Sequence, residues 1–389
     1  MKLSPSTLSF ALLAALAAPA AHAEIAIDSI ADSEVSFEGL IQADGYWYNN
    51  DLSSLDGKTG DGTTNDFGMR RAELVLKGKG PGNVEWVLGY DAKASKFLDV
   101  NAKYKWRGNA NNFIQFGQFK QPNSLEELSS TKNNDFVSKA MITNTFALSR
   151  RLGVGVGYGD NNWGVNASIF GDELTRNLAE GSGYGARGFW APINDKGNIL
   201  HFGLSYVSYD AKIADTNARL IDTARFRARP DADFATRLID TGKLTNTTSI
   251  STVGGEAMWV KGPFKLQTEY MKTEAKRSAG FDNFTGSGGY ISGVWNITGE
   301  TWGYKAGVPT TPLPNEPASG MWQVGLRYDT LDLNDGLIQA GKMNTVTAGI
   351  NWYWRSNFKF MLNYVKVNST KLGISDDPNV IEGRVQFYF

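Results

Sequence analysis

The run LDVNAKYKWR, residues 98–107, places Leu98, Val100, Ala102, Tyr104 and Trp106 on one side of an extended chain and Asp99, Asn101, Lys103, Lys105 and Arg107 on the other. One face is apolar throughout; the other is polar or charged throughout. The same period of two returns at residues 163–170, where Trp163, Val165, Ala167 and Ile169 oppose Gly164, Asn166 and Ser168. It returns again at 321–329 (Trp322, Val324, Leu326 and Tyr328 against Gln323, Gly325, Arg327 and Asp329) and at 343–354. A soluble β-sandwich also alternates, so period alone does not decide what the apolar face meets. Length and aromatic placement do. These runs cover about 8 to 14 residues, whereas strands of soluble proteins average about 5 or 6. Trp47, Trp106, Trp163, Trp190 and Trp354 fall near run ends on the apolar face, where a membrane–water interface takes aromatic rings.

Working outward, the pattern predicts sixteen strands, near 35–48, 66–78, 84–94, 97–107, 111–119, 152–159, 161–171, 183–191, 199–210, 251–261, 264–274, 287–299, 319–330, 343–354, 357–367 and 380–389. The number is even, as a closed antiparallel membrane barrel requires. Connections such as GKGPGN, RGNANN, GDNN and RSN are short and rich in Gly, Asn or Pro, and they alternate with long ones at 49–65, 120–151, 211–250 and 368–379. The predicted fold is all-β: a transmembrane antiparallel β-barrel of about 16 strands with inward-folded constriction loops. Segment 300–319, with prolines at 309, 312, 314 and 317, breaks the alternation by falling where a short turn is expected.

The opening MKLSPSTLSFALLAALAAPAAHA combines Lys2, an apolar run over 8–18 and an Ala-His-Ala tripeptide, the pattern of a secretory signal peptide cut after Ala23. Residues 1–23 are thus expected to be removed and 24–389 to form the barrel. The chain has no cysteine, so no disulfide holds it, and no later segment offers 18 consecutive apolar residues for a transmembrane helix. Its formal net charge of -1 lacks the basic excess of a nucleic-acid-binding protein. Enzymatic readings have little to work with. The part after residue 23 holds a single histidine, His201, which reads as a strand-wall residue, and there is no Cys/His cluster for a transition metal. Asp-rich loops such as 50–66 lack ordered calcium-ligand spacing. No cofactor is expected.

If the apolar faces meet lipid, the opposite faces line a lumen. Inward Arg71, Lys103, Lys105, Arg107, Arg187, Arg327 and Arg384 are matched by Glu73, Asp91, Asp99, Glu256, Glu269, Asp329 and Glu382, so most wall charges are expected to pair across strands. Selectivity then falls to what narrows the lumen: 120–151, with five basic and three acidic residues, and 211–250, with seven and five. The second contains RFRARPDADF, residues 225–234. In an extended backbone Arg225, Arg227 and Arg229 share a face while Phe226 and Ala228 point back into packing, and Pro230 ends the run. Guanidinium groups stay charged and fork onto oxyanions, so such a row at a constriction forms a ladder of weak anion sites. The competing reading is a surface loop neutralised by Asp222, Asp231 and Asp233, or one that touches anionic lipopolysaccharide.

At these residues the chain resembles the phosphate-selective porin O and P family, over nearly all of 24–389. FGMRRAELVLKG (67–78) is similar to the family's arginine-pair second strand, FGQFKQPNSLEEL (116–128) and FALSRRLGVGVGY (146–158) to the flanks of its constricting third loop, WVKGPFKLQTEYMK (259–272) to a late hairpin, and VQFYF (385–389) to its last strand. The resemblance implies a sixteen-stranded homotrimeric porin in the outer membrane of a Gram-negative bacterium. It implies that small inorganic anions, phosphate or pyrophosphate, pass along arginines and lysines: Arg70 and Arg71 of the pair, Lys120, Arg150 and Arg151 beside the third loop, and Arg225, Arg227 and Arg229 in the inward-folded fifth loop. Alternation turns Arg71 inward and leaves Arg70 on the side of Ala72 and Leu74 unless the strand twists. The chain departs from the family at Lys120, where phosphate-specific members carry an acid, so strict phosphate specificity is not implied. A less selective general porin and a non-conducting polyanion-binding barrel stay open as alternatives.

A closed hydrogen-bonded cylinder resists detergent until it is heated. The protein is therefore expected to extract only with detergent and to change its mobility in dodecyl sulfate gels between unheated and boiled samples. A form that stays soluble without detergent and shows one heat-independent band would overturn the barrel.

Overall fold

The computed structural model describes residues 25–30, 33–57, 64–175, 181–214, 220–278 and 280–389; the proposed signal peptide lies outside them. The strands are β1 (Ser33–Asn49), β2 (Asn65–Gly80), β3 (Val84–Asp91), β4 (Lys96–Lys105), β5 (Phe113–Lys120), β6 (Arg150–Gly159), β7 (Trp163–Phe170) and β8 (Gly183–Asp195). They continue as β9 (Asn198–Asp210), β10 (Thr247–Lys261), β11 (Phe264–Arg277), β12 (Phe284–Asn296), β13 (Met321–Asp335), β14 (Ile338–Trp354), β15 (Phe358–Lys371) and β16 (Asn379–Tyr388). Each pairs antiparallel with its neighbours in sequence, and β16 returns to β1 from Leu40↔Tyr388 to Asn49↔Asn379. The result is a closed sixteen-stranded barrel. At the seam the Gly39 and Phe389 backbones exchange hydrogen bonds (2.9 and 3.2 Å), and the Phe389 ring lies where a Cβ on residue 39 would stand, 2.4 Å away. Only glycine admits the terminal ring there.

Every predicted strand is present. Several run further toward the long-loop end: β10 starts at Thr247 and β14 at Ile338. There the outward face turns polar (Thr248, Gln339, Lys342), so the backbone ladder continues where the hydrophobic alternation that marks a strand has stopped. The alternation of connection lengths is less regular than expected, since 92–95, 278–283 and 336–337 are short yet lie at the same end as the long loops.

Outward faces carry exposed Ile114, Phe116, Val154, Val156, Leu204, Leu326 and Leu362. At the short-turn end the rings form a belt from strand to strand: Trp322 stacks on Trp352, Trp352 on Phe360, and Phe358, Phe387, Phe389 and Phe37 follow one another at 4.9–5.7 Å. Such rings are amphipathic enough to sit at a headgroup boundary.

The packed core lies inside the barrel, made by inserted loops. Segment 121–149 folds in with two short helices, α1 (Leu125–Leu128) and α2 (Met141–Phe146), and the described residues 220–246 fold in beside it. Met141, Ile142 and Phe146 of the first pack with Phe226, Ala228, Ile239 and Leu244 of the second and with wall residues Tyr46, Met271 and Val365.

The proline-rich segment 297–320 enters from the opposite end. It forms a hairpin, Gly303–Lys305 against Val308–Thr310, tucked against the wall of β8 to β12 with Trp302 fully buried. His201 holds it, with Nδ1 2.6 Å from the Tyr304 hydroxyl and Nε2 3.0 Å from Glu256, while Arg187 donates to the Gly307 carbonyl at 2.7 Å. Gly307 has φ +79°, and a Cβ there would meet the Phe189 ring at 2.7 Å and Arg187 Nη1 at 2.9 Å. Gly307→Val should therefore dislodge the hairpin and destabilise the barrel by about 1–3 kcal/mol. The measurement is the temperature at which the unheated gel band is lost, and an unchanged temperature would contradict this seating.

Candidate functional site inside the barrel

The arginine run sits on a seat of aromatic and aliphatic packing, with Phe226 and Ala228 in the core inside the barrel. Arg227–Ala228 pairs with Ile239–Asp240 as a two-residue ladder, and the Phe226 ring stacks on Phe284 (5.3 Å) and edge-on to Phe146 (5.9 Å). Phe226 and Ala228 are buried, Arg225 and Arg227 are exposed and Arg229 is half-buried, so the three arginines share one face. Arg225 forks onto Asp240 at 2.8 and 2.5 Å, and Arg229 Nε donates to the Ala235 carbonyl at 2.6 Å. Arg237, which sequence reading did not single out because it stands outside the run, belongs to the same cluster. Burial, then the fields of Arg229 and Arg227, push it down to about 10. Among the described residues neither Arg227 nor Arg237 has a carboxylate within 4 Å.

Two of the three acids that a surface-loop reading would use for neutralisation, Asp231 and Asp233, are turned away. Asp231 pairs with Arg327 of β13 at 3.0 Å, and Asp233 pairs with Arg70 of β2 at 2.7 Å, with Arg384 of β16 at 3.8 Å. Burial would raise Asp233, but Arg70 and Arg384 outweigh it and hold its carboxyl below the usual range.

Arg70 and Arg71 both engage the interior, which strict alternation does not allow. The β1–β2 register passes from Gln42↔Arg71 to Ala43↔Met69, so Arg70 is the extra residue of a β-bulge. The bulge, rather than a twisted strand end, turns Arg70 to Asp233 while Arg71 reaches Glu73 at 3.0 Å. Lys120 donates to the carbonyls of Glu127 and Ser129 (2.9 Å for the second), and Arg150 forks onto Asp99 at 3.0 and 2.7 Å. Arg151 is separate. It is buried, donates to the Arg150 carbonyl at 3.0 Å and does not line the cavity shared by Lys120 and Arg150.

That cavity, about 490 Å³, runs along β1 to β7 against segment 121–149. Its acids are each paired: Glu38 with Lys77, Glu73 with Arg71, Glu85 with Lys105 and Asp99 with Arg150. Lys103, Lys120 and Lys132 also line it and have no carboxylate within 4 Å among the described residues. Lys103 Nζ stands 4.2 Å from the Phe113 ring centre and Lys132 Nζ 5.7 Å from that of Tyr388. The expectation that wall charges pair across strands thus holds for Lys105 and fails for Lys103. Counting signs along a strand cannot reveal which cation its neighbour's acid selects.

A closed sixteen-stranded antiparallel barrel with an apolar exterior, inserted loops and a polar lumen defines a porin of the outer membrane. Comparison with known proteins agrees, and the family model of the phosphate-selective porins O and P matches residues 41–389; the chain belongs to that family. It is 29% identical over 322 residues to an uncharacterized protein of Caulobacter vibrioides, covering 76% of this chain but 62% of that protein's length. It is 25% identical over 403 residues to Porin O of Pseudomonas aeruginosa, covering 92% and 89%. Among solved structures, the anion-selective porin from Comamonas acidovorans superposes with a TM-score of 0.56 at 13% identity, over 92% of this chain and all of that one.

The anchoring of segment 121–149 has a defined acid response. Burial would raise Glu127, but Lys139 at 2.5 Å and the nearby Lys120 bring it down to about 2. A depressed carboxylate contributes stability that is full above its ordinary value and is lost as pH falls through the folded value. Pepsin should therefore leave 121–149 intact from about pH 5 down to about pH 3 and cut it only near pH 2, while Glu127→Gln should be cut throughout that range. Equal protection of the two proteins at pH 4 would refute the assignment.

Proposed function

We propose that this chain is an outer-membrane porin that passes small inorganic anions, phosphate or pyrophosphate, by diffusion through a constriction lined by Arg225, Arg227 and Arg229, with Arg237 beside them. The observation that carries the reading is the shared face of Arg225, Arg227 and Arg229 on a segment packed inside the barrel, with Asp231 and Asp233 paired to the wall. Lys103, Lys120 and Lys132 line the cavity along β1 to β7, which Arg225, Arg227, Arg229 and Arg237 do not line, and supply further sites for a departing anion. Guanidinium groups in a partly desolvated lumen bind oxyanions in a bidentate manner and do so better than they bind chloride. Arg70 serves chiefly to hold Asp233, and Arg150 is committed to Asp99, which gives both a supporting part; Arg225, forked onto Asp240, offers less free charge than Arg227 and Arg237.

In the same reading, residues 1–23 are removed on export and the mature barrel, 24–389, assembles as a homotrimer within lipid and lipopolysaccharide. The role is that of a channel rather than an enzyme. The porin O and P membership supports an anion as the permeant species, and Lys120 argues for breadth among oxyanions.

Arg227→Ala should weaken phosphate block of chloride current on the order of tenfold, the loss of one charge-assisted contact. Replacing Arg225, Arg227 and Arg229 together with Ala should move the reversal potential under a salt gradient toward no preference. Arg→Lys at all three should keep anion preference and lose oxyanion block, because an ammonium keeps the charge without the fork. Lys103→Gln should lower anion preference and Lys105→Gln should not. Single-channel recording in chloride, titrated with phosphate and then pyrophosphate, reads all of these. Unchanged block in the triple variant would make the chain a general porin, or a barrel whose loop arginines serve lipopolysaccharide.

A further inference from the structure

We propose that Asp231 is a positioning residue for the arginine face: its carboxylate ties the loop to the barrel wall, so an acid two residues from the run is what presents the run to the lumen. This rests on the arginine-face reading above and adds to it what sets the geometry.

Pro230 cannot extend the ladder, and Asp231 follows with φ +51°, its N–H donating to the Arg229 carbonyl at 2.9 Å. The chain reverses there, so the Asp231 side chain leaves in a different direction from the arginines. Its Oδ2 accepts from the Thr345 hydroxyl of β14 at 2.6 Å and stands 3.0 Å from Arg327 Nη2 of β13. The side chains of Asp231 and Arg327 are 0% and 1% exposed. Arg327 Nη1 also donates to the Ser138 carbonyl at 3.0 Å, so one wall arginine holds both inserted segments. A carboxylate enclosed this way is matched by its own partner, and its effect on the pore passes through where it holds Arg225, Arg227 and Arg229. Removing Asp231 takes away the loop's ion pair to the wall and leaves Arg327 with Glu126 of segment 121–149 at 3.7 Å, which favours release of the loop.

The two accounts of Asp231 predict opposite signs. If its charge acts on the lumen directly, Asp231→Asn raises anion preference. If it positions the loop, the same change lowers anion preference and weakens phosphate block on the order of tenfold, even though a negative charge has been removed. Asparagine tolerates the left-handed backbone, so the turn itself is not strained. Thr345→Val separates the accounts without touching any charge. It should weaken block by roughly threefold, the loss of one net hydrogen bond, while Thr345→Ser, which keeps the hydroxyl, should match the unaltered protein.

The experiment uses full-length protein purified as the heat-modifiable oligomer in planar bilayers, with phosphate as the probe. Asp231→Asn with equal or greater anion preference, or Thr345→Val indistinguishable from Thr345→Ser, overturns the positioning role. If Asp231→Asn yields no folded barrel, the Thr345 pair decides. Failure of the arginine reading is recognised independently, because the triple Arg→Ala variant would then leave phosphate block intact. If the triple variant abolishes block while Asp231→Asn and Thr345→Val do nothing, only the positioning role falls.

Discussion

A strand in hydrocarbon has no water to satisfy its backbone, so each N–H and C=O must pair with a neighbouring strand and the last strand must find the first. Here that closure is the β1–β16 ladder, sealed by the terminal residue: the Phe389 backbone pairs with Gly39 and its ring covers the space where a larger residue would stand. Closure then dictates the rest. With one face given to lipid, most charged residues of a strand are sent to the interior, which has to be solvated or paired; Lys272 and Lys366, near the long-loop end, are exposed on the outward face.

The interior meets this demand by pairing across strands and by using wall charges to hold inserted loops. Arg187 takes Glu256, and Arg384 forks onto Asp44 at 2.6 Å while its remaining nitrogen donates to the Val137 carbonyl at 2.6 Å. Glu269 accepts from the backbone of Leu125 and Glu126 at the start of α1, and Asp329 from Met141 at the start of α2, so wall carboxylates satisfy amides that short helices leave open. The wall thus fixes 121–149 by its backbone and by Asp135, which takes Lys265 at 2.5 Å, and 211–246 by its acids. The 303–310 hairpin occupies the β8–β12 side, and the open cavity lies against β1 to β7. Positive charge facing that space is what remains after the acids have found partners.

Strand existence, strand order and the inward direction of most charges were legible from single residues and their period of two. The shared face of Arg225, Arg227 and Arg229 was legible for the same reason, since it needs only an extended backbone closed by Pro230. Arg70 was not. Its orientation follows from a bulge, and a bulge is a property of two strands in register. Arg237 was missed because seven residues of chain separate it from Arg229, and only the loop's reversal brings their charges together. The hairpin at 303–310 left a signal, four prolines where a tight turn was expected, but no local pattern says that such a segment folds inward.

By itself, then, the sequence determined a barrel with an apolar exterior, its strand number, and a row of arginines on one side of a long insertion, because these depend on local periodicity and on the solvent each face must meet. Tertiary structure decided which charges remain unpaired. Asp231 and Asp233 lie two and four residues from Arg229 in the chain, yet they pair with Arg327, Arg70 and Arg384, which come from three different strands. Electrostatic partners are chosen by distance in space and by burial, and neither quantity is written in sequence separation.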